Sequence, residues 1–279
     1  MRNELMTVQE AANLVGVSSS TLKRMCDNES IPLLRTPGGH RRIDKLDLER
    51  LAARYGRGKM TDAKTTDQPG ILSITVDQLL SRLLKGKAFE IAQLLSRSTS
   101  SPMDLISALE DCLVPALWKV GEMWRADQID VYQEHLCTNT AITAIDILRQ
   151  HLSIDTSNTF VAVGGSLTPN IESLPSKLVA LSLELVGVQA IDLGGFLPPE
   201  SLAKAAADYQ ANLIWVTHTH VTDVDTLLEN HQTLKNQAPP GVRIIVGGGG
   251  ISPTVRRSLS WCKFYETLSQ MARAEAPAI

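Results

Sequence analysis

Four short apolar runs constrain the fold of this chain more than any other feature: TFVAVGG (159–165), VQAIDLGG (188–195), NLIWVTHT (212–219) and VRIIVGGGG (242–250). Each ends in glycine or a polar residue, and stretches with helical spacing separate them. Runs this apolar must be covered on both faces, and a parallel sheet with a helix between consecutive strands achieves that. Such a doubly wound sheet takes its ligands at the carboxyl ends of its strands. The loop after the first run, PNIESLPSK (169–177), therefore faces the crevice, yet it offers two prolines, a glutamate and two serines and no histidine.

The preceding stretch has a different rhythm. Leu79, Leu80, Leu83, Leu84, Ile91, Leu94 and Leu95 recur at helical spacing, as do Leu105, Ile106, Leu109, Leu113 and Leu117. Ser101-Pro102, with Asp104 in the first turn, starts a second helix, and two more follow. Residues 72–155 thus read as a four-helix bundle and 156–275 as the α/β sheet, of Rossmann or flavodoxin type. The polar, glycine-containing stretch 59–71 reads as a linker. Residues 1–58 form a third domain, an all-α winged helix-turn-helix.

Composition narrows the function classes. Of the 279 residues none forms an apolar run long enough for a membrane span, and no leader-like segment follows Met1, so a cytoplasmic protein is expected. The four cysteines are far apart and read as reduced thiols. The net charge of −3 hides an asymmetry, because residues 1–60 carry 11 Lys and Arg against 7 Asp and Glu. A basic head on an acidic body points to a polyanionic partner.

The head has the means to bind one. In MTVQEAANLVGVSSSTLKRMCDNESI, Thr7 caps a first helix with Glu10 three residues on, and Gly16 makes the turn. Ser18 or Ser19 caps a second helix, which presents Ser19, Ser20, Thr21, Lys23 and Arg24 to base edges and phosphates. The hairpin LLRTPGGHRRID then turns at Pro37-Gly38-Gly39. Arg35, Thr36, Gly38, His40, Arg41 and Arg42 suit phosphate contact and minor-groove entry. A helix-turn-helix followed by TPGGHRRI resembles the MerR-type winged helix. That resemblance implies a double-stranded DNA operator and at least a dimer on it.

Within the bundle, VGEMWRADQIDVYQEHLCT (120–138) separates Trp124 by nine residues from Glu134-His135. With the MerR-type head and the α/β pattern, this W-x9-EH order resembles the cobalamin-dependent photoreceptor repressors of the CarH and LitR group. The resemblance implies adenosylcobalamin between bundle and sheet, with Trp124, Glu134 and His135 over its upper face. It implies a dark tetramer that represses transcription and falls apart when light breaks the cobalt–carbon bond. It also implies that Thr217, Thr219, Gly247 and Gly248 approach the cofactor after the third and fourth strands.

One part of the family pattern is missing. The D/E-x-H-x-x-G motif after the first strand supplies the lower cobalt ligand in that family. Alignment on LVALSLELVGVQAIDLGG puts Asn170, Glu172 and Pro175 at its three defined positions. A carboxylate is a poor substitute for imidazole on cobalt, and Pro175 removes a glycine. Arg125 also stands where some relatives have a histidine. His218 and His220 of THTH would share a face on extended backbone, where they could hold a metal or tetrapyrrole. The expectation is a MerR-type regulator, a repressor, whose cobalamin and light response is weakened, altered or lost. Three alternatives stay open: a functional adenosylcobalamin-dependent repressor, a sensor of another tetrapyrrole, and a cofactor-free module acting by oligomerisation or on a protein antirepressor. A cobalamin enzyme would need a catalytic domain for which no segment remains, so the chain reads as not an enzyme.

Overall fold

The computed structural model describes residues 5–8, 11, 22, 26, 34–35, 41–44, 47, 74–97, 99–152, 159–167, 174–219 and 221–277. Its packing divides the chain into two units between Gly70 and Ile71.

In the first unit, β1 (Leu5–Thr7) and β2 (Leu34–Arg35) both pair antiparallel with β3 (Arg41–Asp44), in the order β1-β3-β2. The head is therefore not all-α as expected. The hairpin that carries the basic residues folds back on the N-terminal LMT segment and makes a small sheet of it. Ile43, in β3, is fully buried, as are the helical Ala11, Leu22 and Cys26.

The second unit opens with α1 (Val76–Leu83), capped by Thr75 through a reciprocal capping box with Gln78. The leucine run predicted as one helix breaks here, because Gly86 takes φ +67° before α2 (Ala88–Arg97). Ser101 caps α3 (Pro102–Ala108) by accepting from Asp104 N at 3.1 Å. A single π turn (Leu109–Leu113) then leads into α4 (Val114–Arg125). Pro115, the second residue of α4, cannot donate to the carbonyl one turn back, within that π turn. Asp130 caps the long α5 (Val131–His151). Leu79, Leu83, Ile91, Leu95, Leu109, Leu113, Ala141, Ile145 and Leu148 fill the bundle core.

The sheet has five strands in the order β5-β4-β6-β7-β8, all parallel. They are β4 (Val161–Gly165), β5 (Gln189–Asp192), β6 (Leu213–Thr217), β7 (Arg243–Gly247) and β8 (Lys263–Phe264). The first four coincide with the apolar runs, and β8 adds a two-residue edge. Between them lie α6 (Leu174–Leu185), α7 (Pro199–Asp208), α8 (Val224–Gln237) and α9 (Pro253–Ser258), with α10 (Leu268–Glu275) last. Residues of α6 and α10 pack with Ala162, Leu213 and Trp215 on one face. Residues of α7, α8 and α9 pack with Val163, Ile214 and Val216 on the other. Strand order reverses between β4 and β6, which puts the crevice of a doubly wound sheet at their carboxyl ends.

Candidate functional site

The crevice is built from glycines that end the strands. A central strand keeps a glycine where a ligand or another part of the chain comes close, so what fills each missing side chain identifies the occupant. A Cβ on Gly164 would lie 2.2 Å from Trp215 Cδ2, and one on Gly165 would lie 2.4 Å from the Gly194 carbonyl oxygen. Gly248, at φ +105°, has the His218 carbonyl oxygen 2.2 Å from its would-be Cβ. All three spaces are occupied by the protein itself.

Trp215 is 1% exposed and lies across β4 against Gly164, its partner in register. Its Nε1 donates to Ser176 Oγ at 2.9 Å, and Ser176 Oγ donates in turn to Asp192 Oδ1 at 2.5 Å. The same Asp192 oxygen accepts from Gly194 N at 3.2 Å. One polar chain thus ties β6, α6, β5 and the loop after β5, with its buried donors satisfied. The loop is also stitched to β4, since Ser166 N donates to Gly194 O at 2.9 Å and Leu197 N to Ser166 O at 2.9 Å. At its tip Phe196 is 66% exposed and held at φ +57°, an unusual conformation for a bulky residue.

The THTH segment departs from its expected geometry. Thr217 is buried, its hydroxyl 3.5 Å from Gly165 O, and Thr219 alone of the two threonines is exposed. His218 is fully buried rather than presented to a ligand, and His220 lies outside the described residues. The strand ends at Thr217, but His218 still bonds β7 and its loop, donating to Gly247 O and accepting from Gly250 N. Its ring turns toward α8, where Nε2 stands 3.4 Å from His231 Nε2. His231 Nδ1 donates to Leu227 O at 2.9 Å, so its Nε2 is the acceptor and His218 Nε2 the donor. That leaves His218 Nδ1 buried without a partner. Burial, and then the nearby charge of His231, push the His218 pKa down to about 3, and burial lowers that of His231. Among the described residues no group of three His, Cys, Asp or Glu converges to hold a metal.

The bundle contributes its end. Trp124, in the last turn of α4, is 47% exposed. Glu134, in the first turn of α5, accepts from Thr138 Oγ1 at 3.0 Å and stands 3.6 Å from His135 Nε2. The ion pairs Lys177–Asp146, at 2.9 Å, and Arg149–Glu184 join α5 to α6 in ascending order, so the two helices run in the same sense. From Asp146 back to Glu134 the helix rises about 18 Å. Glu134 and His135 therefore stand on the order of 10 Å past the first turn of α6, beyond the level of the strands' carboxyl ends. A cleft of about 350 Å³ lined by Phe160, Asn212, Arg243 and Glu275 opens instead at the opposite end of the strands.

Other expected site residues distribute as follows. Asn170 and Glu172 lie outside the described residues, while Pro175 occupies the first turn of α6, a position that tolerates proline without cost. Gly247 ends β7 with open space on the crevice side except for the Tyr265 carbonyl oxygen at 3.8 Å. Arg35 is in β2, and Arg41 and Arg42 are in β3. Ser19, Ser20, Thr21, Lys23, Arg24, Thr36, Gly38 and His40 lie outside the described residues. Trp215, Ser176, Asp192 and His231 do not stand out in the sequence; a tryptophan in register with the glycine pair of a neighbouring strand is the one signal that points to them.

Comparison with known proteins agrees with this architecture. Residues 75–149 match the family model described as B12 binding domain, and residues 5–55 the one described as helix-turn-helix domain. A corrinoid protein of Desulfitobacterium hafniense is 22% identical over 184 residues, covering 63% of this chain and 84% of the relative. The structure of the Methanosarcina barkeri monomethylamine corrinoid protein superposes with a TM-score of 0.58 at 17% identity, covering 71% of this chain and 94% of that one. The chain thus carries residues that match a helix-turn-helix domain and residues that match a B12 binding domain, and it is similar to a corrinoid protein.

Proposed function

We propose that the protein is a DNA-binding transcription regulator of the MerR type, a repressor, whose second unit is a B12-type sensor with a weakened, altered or lost response to cobalamin and light. The observation that carries this reading is the union of a helix-turn-helix domain and a B12 binding domain in one chain. Ser19, Ser20, Thr21, Lys23 and Arg24 contact the major groove in this reading. Arg35, Thr36, Gly38, His40, Arg41 and Arg42 contact phosphates and the adjacent minor groove. The regulator acts as a dimer or tetramer on a two-fold operator. It acts as no enzyme.

The fit of this unit to a corrinoid divides in two. In this reading a flat macrocycle lies on the strand ends, beside the exposed Thr219 and the open Gly247 and Gly249, with Trp124 and His135 of the bundle over it. The layer between the sheet and α6 does not suit a buried nucleotide arm, because Trp215 fills it and bonds Ser176. Glu172 in place of a histidine adds a second reason for weak binding. The retained Trp124 and Glu134–His135 pair favours a second reading, a functional adenosylcobalamin-dependent light-responsive repressor.

The test is spectroscopic. Full-length protein mixed with adenosylcobalamin in the dark and desalted is expected to elute nearly colourless while still retarding operator DNA. A stoichiometric, light-sensitive cobalamin spectrum would establish the second reading instead. The same trial with haem and biliverdin checks for another tetrapyrrole.

A further inference from the structure

We infer that the indole of Trp215 occupies the slot a corrinoid's nucleotide base would need, so that this unit excludes the nucleotide arm and admits a corrinoid only as a macrocycle lying on the strand ends. The inference rests on the reading of the second unit as a corrinoid-type sensor and specifies which part of that ligand class it accepts.

Three observations carry it. First, the slot exists only because Gly164 has no side chain, and Trp215 enters it. A Cβ there would meet the indole Cδ2 and Cγ at 2.2 and 2.4 Å, with the Trp215 carbonyl oxygen at 2.3 Å. Second, the shape matches: an indole and a dimethylbenzimidazole are fused five- and six-membered rings of nearly the same size. A close-packed layer that holds the one has no room for the other. Third, the slot's polar group is already committed. Ser176 Oγ, fully buried in α6, accepts from the indole N–H and donates to Asp192 Oδ1. It has no donor left for a benzimidazole nitrogen. The opposite face offers no second route, since Val163, Ile214 and Val216 are packed there against α7 and α8. Gly165, next along β4, is closed by the Gly194 carbonyl and Leu197.

The test uses the full-length chain, titrated with cobinamide, which lacks the nucleotide arm, and with cobalamin, and followed by absorbance. On the wild type, cobinamide should bind at least as tightly as cobalamin. Trp215→Ala should tighten cobalamin binding about tenfold or more and leave cobinamide within about threefold. Trp215→Leu serves as a milder variant, with the same expected direction, should the alanine variant lose its native circular dichroism. A wild type that prefers cobalamin over cobinamide by about tenfold overturns the inference. So does a folded variant whose preference between the two is unchanged. If the wild type binds neither compound, the corrinoid-sensor reading fails for the natural chain, and the variant still decides the role of Trp215. Acquired cobalamin binding upholds the inference, and binding of neither compound defeats it.

Discussion

Acidification should destabilise the second unit through one buried ring. His218 has its pKa lowered from 6.5 to about 3, chiefly by burial and then by the neighbouring His231. A lowered pKa means that the unfolded chain binds the proton more readily between those two values, so stability rises with pH across that window. The contribution is complete above pH 6.5 and is lost progressively as pH falls toward 3. At pH 5.0 the unfolded ring is already protonated while the folded one is not, which costs about 2 kcal/mol relative to neutral pH. His231 is lowered as well and acts in the same direction. Urea unfolding followed by tryptophan fluorescence measures this directly, because Trp118, Trp124, Trp215 and Trp261 all lie after Gly70. His218→Gln keeps an amide donor toward His231 and removes the titrating ring. Its stability loss between pH 7.5 and 5.0 should be smaller than that of the wild type by about 2 kcal/mol. Equal losses in the two proteins would show that His218 is not buried neutral and would refute the argument.

Three further outcomes are expected. Replacing Arg41 and Arg42 by Ala should weaken operator binding and reduce the salt slope of log K by about 0.9 for each phosphate the wing ceases to neutralise; unchanged affinity and slope in a gel-shift series would contradict the wing assignment. Glu184→Gln should cost roughly 3 kcal/mol, read as a lower urea midpoint, because it leaves Arg149 facing a nearly buried site without its carboxylate. Gly248→Ala should destabilise by about 2 kcal/mol or more, since φ is +105° and the added carbon meets the His218 carbonyl.

What the sequence disclosed follows from how far each signal reaches along the chain. The four apolar runs were legible as strands because burial on both faces leaves no polar alternation and glycine ends each run. β8 was not, since two residues carry no period. Gly86 was hidden inside a leucine pattern that continues in phase across the break. THTH misled for a physical reason: alternation holds only while the strand continues, and the backbone bonds of His218 to Gly247 and Gly250 turn its ring into the layer beneath α8. The crevice was locatable from topology, but its occupant was not. Gly164 and Gly165 read equally well as room for a ligand or room for a side chain, and only the pairing register puts Trp215 opposite Gly164. Pro175, aligned with the family's glycine, stands in the first turn of α6, where a proline is tolerated.

The packing of the bundle limits how a ligand at the crevice can act. Leu174, Leu178 and Leu181 of α6 belong to the same buried cluster as Ile91, Leu109 and Leu148 of the bundle. Ser269 N donates to Glu110 Oε2 at 3.1 Å, and the Arg149–Glu184 and Lys177–Asp146 pairs join the same layers. Bundle and sheet therefore share one core, and a hinge between them would have to expose leucines that are now dry, at a cost of roughly 2 kcal/mol for each. A small ligand resting on the strand ends has few contacts with which to offset that. Its effect must be expressed where the bundle end is already open to solvent, around Trp124, Tyr132 and Leu136, by covering or uncovering apolar surface rather than by moving a domain. If the second unit is the sensor proposed above, it reports ligand occupancy through what its surface can associate with. In the reading proposed above, loss of the cofactor would leave the regulator in one association state, with the residues of its first unit unchanged.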